Sequence, residues 1–290
     1  MMRRLIIMVL MLTVAIGAAA QAVPFVTIRT DAGQLAFGGA GVAGERLLPV
    51  KEGIFEAGIG KTLWQTKAIN YNLTNLEARV KVLDNLSAGI EYTGNHMEEM
   101  NLYSENGQPT GTFQPTEMCA SLRLSYNALS RLNINAAGKI IRSSLSDSHS
   151  ASAYAADFGV IYIISNAFRA GAAIENLGGT MDYGYGAYPL PTTFKAGFAG
   201  TLTLGGKHAL EYAADGGVMP ASEAFLASLG TGYLYDGMIA VRCGAHICTK
   251  ENVLPTYFSA GLFFKSTIFD IGAAWLSAAN TYSISARLKL

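Results

Sequence analysis

"YSISARLKL", residues Tyr282 to Leu290, alternates without a break: Tyr282, Ile284, Ala286, Leu288 and Leu290 are apolar, while Ser283, Ser285, Arg287 and Lys289 are polar or charged. A period of two belongs to a β-strand with two unlike faces. The fold turns on which face meets water and which meets something else.

The same period recurs upstream. Leu76, Ala78, Val80 and Val82 share one face, with Glu77, Arg79 and Lys81 opposite. Ala120, Leu122, Leu124 and Tyr126 oppose Cys119, Ser121, Arg123 and Ser125, and Leu132, Ile134 and Ala136 oppose Asn133, Asn135 and Lys139. Read this way, the chain divides into about fourteen segments of the roughly 9 to 12 residues that cross a membrane as tilted strands. They start near Gly53, Tyr71, Leu86, Thr116, Arg131, Ala151, Ala167, Thr192, Lys207, Phe225, Met238, Pro255, Thr267 and Thr281.

The connections alternate in length. Long polar or glycine-rich stretches such as "NHMEEMNLYSENGQPTGTFQP" and "NLGGTMDYGYGAYPLP" are separated by tight turns at Leu83, Asn127, Ser165, Gly205, Tyr235 and Lys265. Gly205-Gly206 and Asp236-Gly237 suit primed hairpin turns, which need positive φ. Short turns at one end and long loops at the other are the plan of outer-membrane barrels.

Composition agrees. Half of the 290 residues are hydrophobic, 14% are charged and the mean hydropathy is +0.26. No segment after the first twenty residues reaches the roughly 18 apolar residues of a spanning helix. Arg3 and Arg4, the apolar run Leu5 to Ile16 and Ala18-Ala19-Ala20 read as a signal peptide. Without Arg3 and Arg4 the 21 basic residues fall to 19 against 21 acidic, a net charge of −2, which recommends no nucleic-acid partner. The expected fold is all-β: a transmembrane antiparallel up-and-down β-barrel of about 14 strands in the outer membrane, with a short N-terminal plug segment. The expected division is 1–20 signal peptide, 21–52 glycine-rich plug and 53–290 barrel. Charges of both signs on the inner face, among them Glu77, Arg79, Arg123, Asp157, Glu175, Glu211, Arg242 and Arg287, predict a lumen obstructed by ion pairs. Trp64, Tyr92, Tyr126, Phe168, Phe194, Tyr235, Trp275 and Tyr282 are expected in interfacial girdles.

Chemistry-bearing motifs are weak. "GAGVAG" (Gly39–Gly44) matches a dinucleotide fingerprint, but Pro49 stops any helix after it, so no cofactor is expected. Cys243 faces opposite to His246 and Cys248, which argues against a metal site. The odd set Cys119, Cys243 and Cys248 implies no disulfide framework. His149 lies between Ser148 and Ser150 without a G-x-S-x-G elbow, so no enzyme is expected. Met97, Met100, Leu102, Tyr103, Tyr183, Tyr185 and Tyr188, on two long loops, are the candidate partner-binding residues, because soft and amphipathic side chains give adaptable contact area.

"FQPTEMCASLRLSYNALSRLNINAAGKIIRSSL", "RAGAAIENLGGTMDYGYG", "PLPTTFKAGFAG" and "MIAVRCGAHICTKENVLPTYFSAGLFFKSTIFDIGAAW" together resemble, in order and spacing, the PorV members of the PorV/PorQ family, a branch of the FadL-like barrels. The likeness runs from about Tyr71 to Leu290 and lacks the family's usual Asn-Pro-Ala motif. It implies a component of the type IX secretion system of Bacteroidetes. Such a protein binds the C-terminal signal domain of exported cargo and shuttles it from the translocon barrel to a sortase-containing attachment complex. The alternative is a FadL-like channel for small hydrophobic molecules, which needs an apolar pocket and a movable plug.

Overall fold

A computed structural model describes residues 22–50, 53–65, 70–104, 106–146, 149–165, 167–184, 186–278 and 281–290. The signal-peptide reading therefore lies outside the described residues, as does Tyr185. The strands are β1 (Phe55–Gln65), β2 (Asn70–Leu83), β3 (Leu86–His96), β4 (Met100–Tyr103), β5 (Pro109–Phe113), β6 (Thr116–Leu129), β7 (Leu132–Ser146), β8 (His149–Ser165) and β9 (Phe168–Gly178). They continue with β10 (Thr180–Asp182), β11 (Ala187–Pro189), β12 (Thr193–Gly205), β13 (His208–Met219), β14 (Ala224–Tyr235), β15 (Ile239–Cys248), β16 (Tyr257–Lys265), β17 (Phe269–Leu276) and β18 (Thr281–Lys289). β4 pairs with β5 and β10 with β11 as small separate hairpins, while the other fourteen close into one antiparallel barrel in which β1 meets β18. Each barrel strand starts within two residues of its position read from the sequence.

The wall explains the alternation. Ile59, Leu76, Ile90, Leu122, Phe158, Leu229, Leu262 and Ile284 all stand exposed on its outside. An apolar surface running right round a closed barrel is a lipid contact, so the chain is a transmembrane barrel of the outer-membrane type. Lys61 interrupts the outer face and donates to Thr74 Oγ1 at 2.9 Å. Tyr282 and Trp275 pair across β17 and β18 and stay outside, but Trp64 does not join the girdle. It is 2% exposed and turned into the lumen, because it shares the inward face of β1 with Thr62 and Gly60.

The two faces of β18 make a direct test. Ile284→Arg puts a charge on the lipid face near mid-wall, at a cost of about 2 to 4 kcal/mol. Ser283 is a poor inward control, because it is fully buried against Thr62 Oγ1 at 2.8 Å. Ser285 borders an open cavity instead, so Ser285→Arg should unfold in urea close to wild type while Ile284→Arg unfolds much earlier. Equal midpoints for the two variants are the result that refutes this facing.

Candidate functional site

Residues 22–50 fill the lumen. Gly53 meets Leu290 at the short-turn end, whereas Ala22 N–H donates to Pro189 O at 3.1 Å beneath the long loops. The segment thus spans the barrel from one mouth toward the other, and the lumen it fills has two different halves.

The short-turn half is polar. Arg46 contacts Asp31 at 2.5 Å and also grips Glu77, and Arg287 reaches both the same Glu77 (3.1 Å) and Asp31 (3.4 Å). Two arginines and two carboxylates thus form a closed square, with two corners on the plug and two on the wall. Burial opposes ionisation of Asp31, but Arg46 and Arg287 outweigh it and hold its carboxyl below the ordinary value. Glu211 accepts from Arg242 at 2.8 and 2.9 Å and from Lys265 at 2.7 Å. The Arg242 guanidinium also lies 4.7 Å from the ring centres of both Phe37 and Phe263. Farther along, Arg79 donates to Leu48 O (2.5 Å), Ser125 to Leu47 O (2.6 Å), and Ser87 accepts from Val50 N–H (2.8 Å). A cavity of about 440 Å³ remains on one side of the plug, bordered by Asp31, Glu77, Glu211, Arg242 and Arg287 among others, and one of about 150 Å³ on the other, touching Asp31, Arg46, Glu77 and Arg79.

The middle of the plug is a short helix, Ala32–Ala36, capped by Asp31, whose carboxylate accepts from Gln34 N–H at 2.9 Å. Its C-terminal end seats on a row of small inward-facing residues, Gly230, Gly244 and Ser259, which pair with one another across β14, β15 and β16. A Cβ on Gly244 would come within 2.3 Å of Gly38 N, and one on Gly230 within 2.3 Å of Phe37. Ser259 donates to Ala36 O (3.0 Å) and accepts from Gly38 N–H (3.1 Å), so the helix end is both fitted and hydrogen-bonded. The "GAGVAG" stretch meets Asp215, whose Oδ2 accepts from Gly41 N–H (2.6 Å) and Val42 N–H (3.0 Å). These two amides hold the plug to the wall.

The long-loop half holds an apolar cluster beside buried polar groups such as Glu117 and Asn95, which hydrogen-bond at 2.9 Å. Phe25, Leu35, Leu73, Met181, Met219 and Leu276 are fully buried in one cluster with Trp64, Leu190, Leu226, Leu254 and Tyr257. Trp64 and Tyr257 meet edge to face with ring centres 5.7 Å apart. Ala22, Val23 and Phe25 of the plug belong to that cluster, so this chamber is occupied by the chain itself.

The candidate loop residues separate. Met100 and Tyr103 stand exposed on the β4–β5 hairpin, with Leu102 half-buried and Met97 packed against the apolar cluster. Tyr183 is buried and Tyr188 half-buried, their rings 6.4 Å apart, so the second loop roofs the chamber. Cys243 faces out, whereas His246 and Cys248 face the lumen. Residue-by-residue reading missed the plug's own charges, Arg29, Asp31 and Arg46. The signal available was the unusual number of inward glycines, which mark a close backbone approach.

The toluene transporter TodX of Pseudomonas putida superposes with a TM-score of 0.61, at 13% identity over 89% of this chain and 97% of that one. CymD, a monoaromatic hydrocarbon channel, gives 0.61 at 13% identity over 90% and 97%. A Pseudomonas aeruginosa FadL homologue gives 0.53 at 10% identity over 90% and 98%. The fold is that of the FadL-like outer-membrane barrels. At these identities the likeness is one of fold, and it does not reach the PorV/PorQ branch. No protein-family model matches the sequence, and no curated protein matches it. In this barrel the contrast between a charged, pinned region and an apolar chamber occupied by the chain itself is the feature that can do work.

Proposed function

We propose that the protein is an outer-membrane channel for small hydrophobic molecules, with the apolar chamber beneath the long loops as its binding site. The observation that carries this reading is the occupant: Ala22, Val23 and Phe25 fill a chamber lined by Trp64, Leu73, Met219, Leu226 and Leu276. A chain segment that is hydrogen-bonded at its outer end to Pro189 O, and that packs by apolar contact, can be exchanged for an apolar ligand of similar size. TodX, a toluene transporter, and CymD, a monoaromatic hydrocarbon channel, share the fold.

The test uses a dye that intact outer membranes exclude. Cells producing the protein should take up N-phenyl-1-naphthylamine several-fold faster than cells without it. A cysteine pair, Ala22→Cys with Pro189→Cys, joins neighbouring backbones and pins the segment when oxidised. Uptake should stop on oxidation and return on reduction. Unchanged uptake in the oxidised variant sinks the reading.

A second reading rests on a different observation. The β4–β5 hairpin stands apart from the barrel with Met100 and Tyr103 exposed, a surface suited to a protein partner. On the PorV-type reading the partners are the type IX translocon barrel, cargo C-terminal signal domains and the sortase-containing attachment complex. Gentle detergent pull-down of the tagged protein should then bring those proteins along, and removal of the hairpin should lose them while the barrel persists. A lone barrel in the pull-down removes this reading.

A further inference from the structure

At the edge of the apolar chamber lies a cavity of about 30 Å³, room for one water. Two buried polar atoms at its border have no hydrogen-bond partner among the described residues. Asp215 uses Oδ2 for the plug amides and leaves Oδ1 unpaired. His246, 7% exposed, shares a 2.9 Å hydrogen bond between Nδ1 and Ser228 Oγ, stacks on Tyr257 with ring centres 5.1 Å apart and faces the Gly38 backbone, while Nε2 makes no hydrogen bond of normal geometry. Both residues line the same cavity, whose other wall is Trp64, Met219, Leu226 and Leu254. Unpaired buried polar atoms are costly unless something completes them.

We propose that this is where the ligand's polar group is read, and that the ligand class is a small aromatic molecule bearing a neutral hydroxyl, a phenol or an aromatic alcohol. The inference rests on the channel reading above and narrows its substrate. With Ser228 donating to Nδ1, the imidazole carries its proton on Nε2 and donates to the ligand oxygen, while the ligand O–H donates to Asp215 Oδ1. The aromatic body then lies in the greasy half once Ala22 to Phe25 withdraw. A carboxylate would meet the free oxygen of Asp215. An ammonium would meet Arg29 and Lys195, which border the cavity and are both bound to Glu175 at 2.6 and 2.9 Å. A plain hydrocarbon would leave both atoms unpaired.

Trp64 lines the cavity and Trp275 faces lipid, so the purified full-length protein with Trp275→Phe reports binding through one tryptophan. p-Cresol should bind at least about tenfold more tightly than toluene. His246→Phe, which keeps the ring and its stacking, should bring the two affinities together. Equal affinities in the parent protein overturn the inference and leave the channel reading standing. Tighter binding of benzoate or benzylamine overturns the neutral hydroxyl. Saturable binding by none of these probes overturns both readings.

Discussion

Glu77→Ala should convert a closed barrel into a conducting one. The Glu77 carboxylate holds Arg46 of the plug and Arg287 of β18 at once, and its side chain is only 11% exposed. Removing it leaves Arg46 with Asp31, and Arg287 with that same Asp31 and a longer contact to Asp270 at 3.9 Å, in a part of the lumen already lined by Arg79. Breaking one partner out of a buried pair costs about 3 to 5 kcal/mol, because the remaining charges are left without their counterion. The wall strands keep their ladders, so the loss falls on the docking of the plug. In planar bilayers the wild type should conduct little and Glu77→Ala should show frequent large openings, with Glu77→Gln between them. Silent Glu77→Ala barrels would show that the square of charges does not hold the plug.

The second large effect comes from one methyl group. Gly38 has a φ of +67°, and a Cβ there would lie 2.2 Å from Ala245 O and 2.6 Å from Ala245 C. The left-handed conformation alone costs a non-glycine residue about 1 to 3 kcal/mol, and the overlap is with wall backbone that has no rotamer to change. Gly38→Ala should therefore lift the end of the Ala32–Ala36 helix off its seat and break both bonds to Ser259. Trypsin should then cut at Arg29 or Arg46, and the wild type should resist cleavage at both. Gly206→Ala is the matched control, since Gly206 also has positive φ (+54°) but nothing within 4 Å of its Cβ position. Full protection in Gly38→Ala would mean that the plug is held elsewhere.

The wall was legible in the sequence, because lipid outside and a polar inside impose period two on every strand. Turn dipeptides such as Asp236-Gly237 marked the hairpins, and Gly237 does adopt positive φ. The inward position of Trp64 was also available: counting by twos from the lumen residue Glu56 reaches it. What periodicity could not supply is pairing. Glu211 with Arg242 lies on neighbouring-but-one strands, and Arg287 with Glu77 spans the closing seam, so both depend on barrel shear. The plug has no period to read, and its course follows from glycines on strands far away in the chain. The β4–β5 and β10–β11 hairpins were hidden for a different reason, since they stand off the wall and their short strands need not alternate.

The placement of residues 22–50 also constrains the order of assembly. The segment precedes β1, and the partner of β1 is β18, at the other end of the chain, so the ring cannot shut until the last strand arrives. Phe25 and Leu35 must therefore wait, unshielded, through the making of nearly every strand before they gain their surroundings. Their surroundings, drawn from Trp64 and Leu73 at the start of the barrel and Leu276 at its end, are complete only when the seam is shut, so plug packing and ring closure become one coupled event.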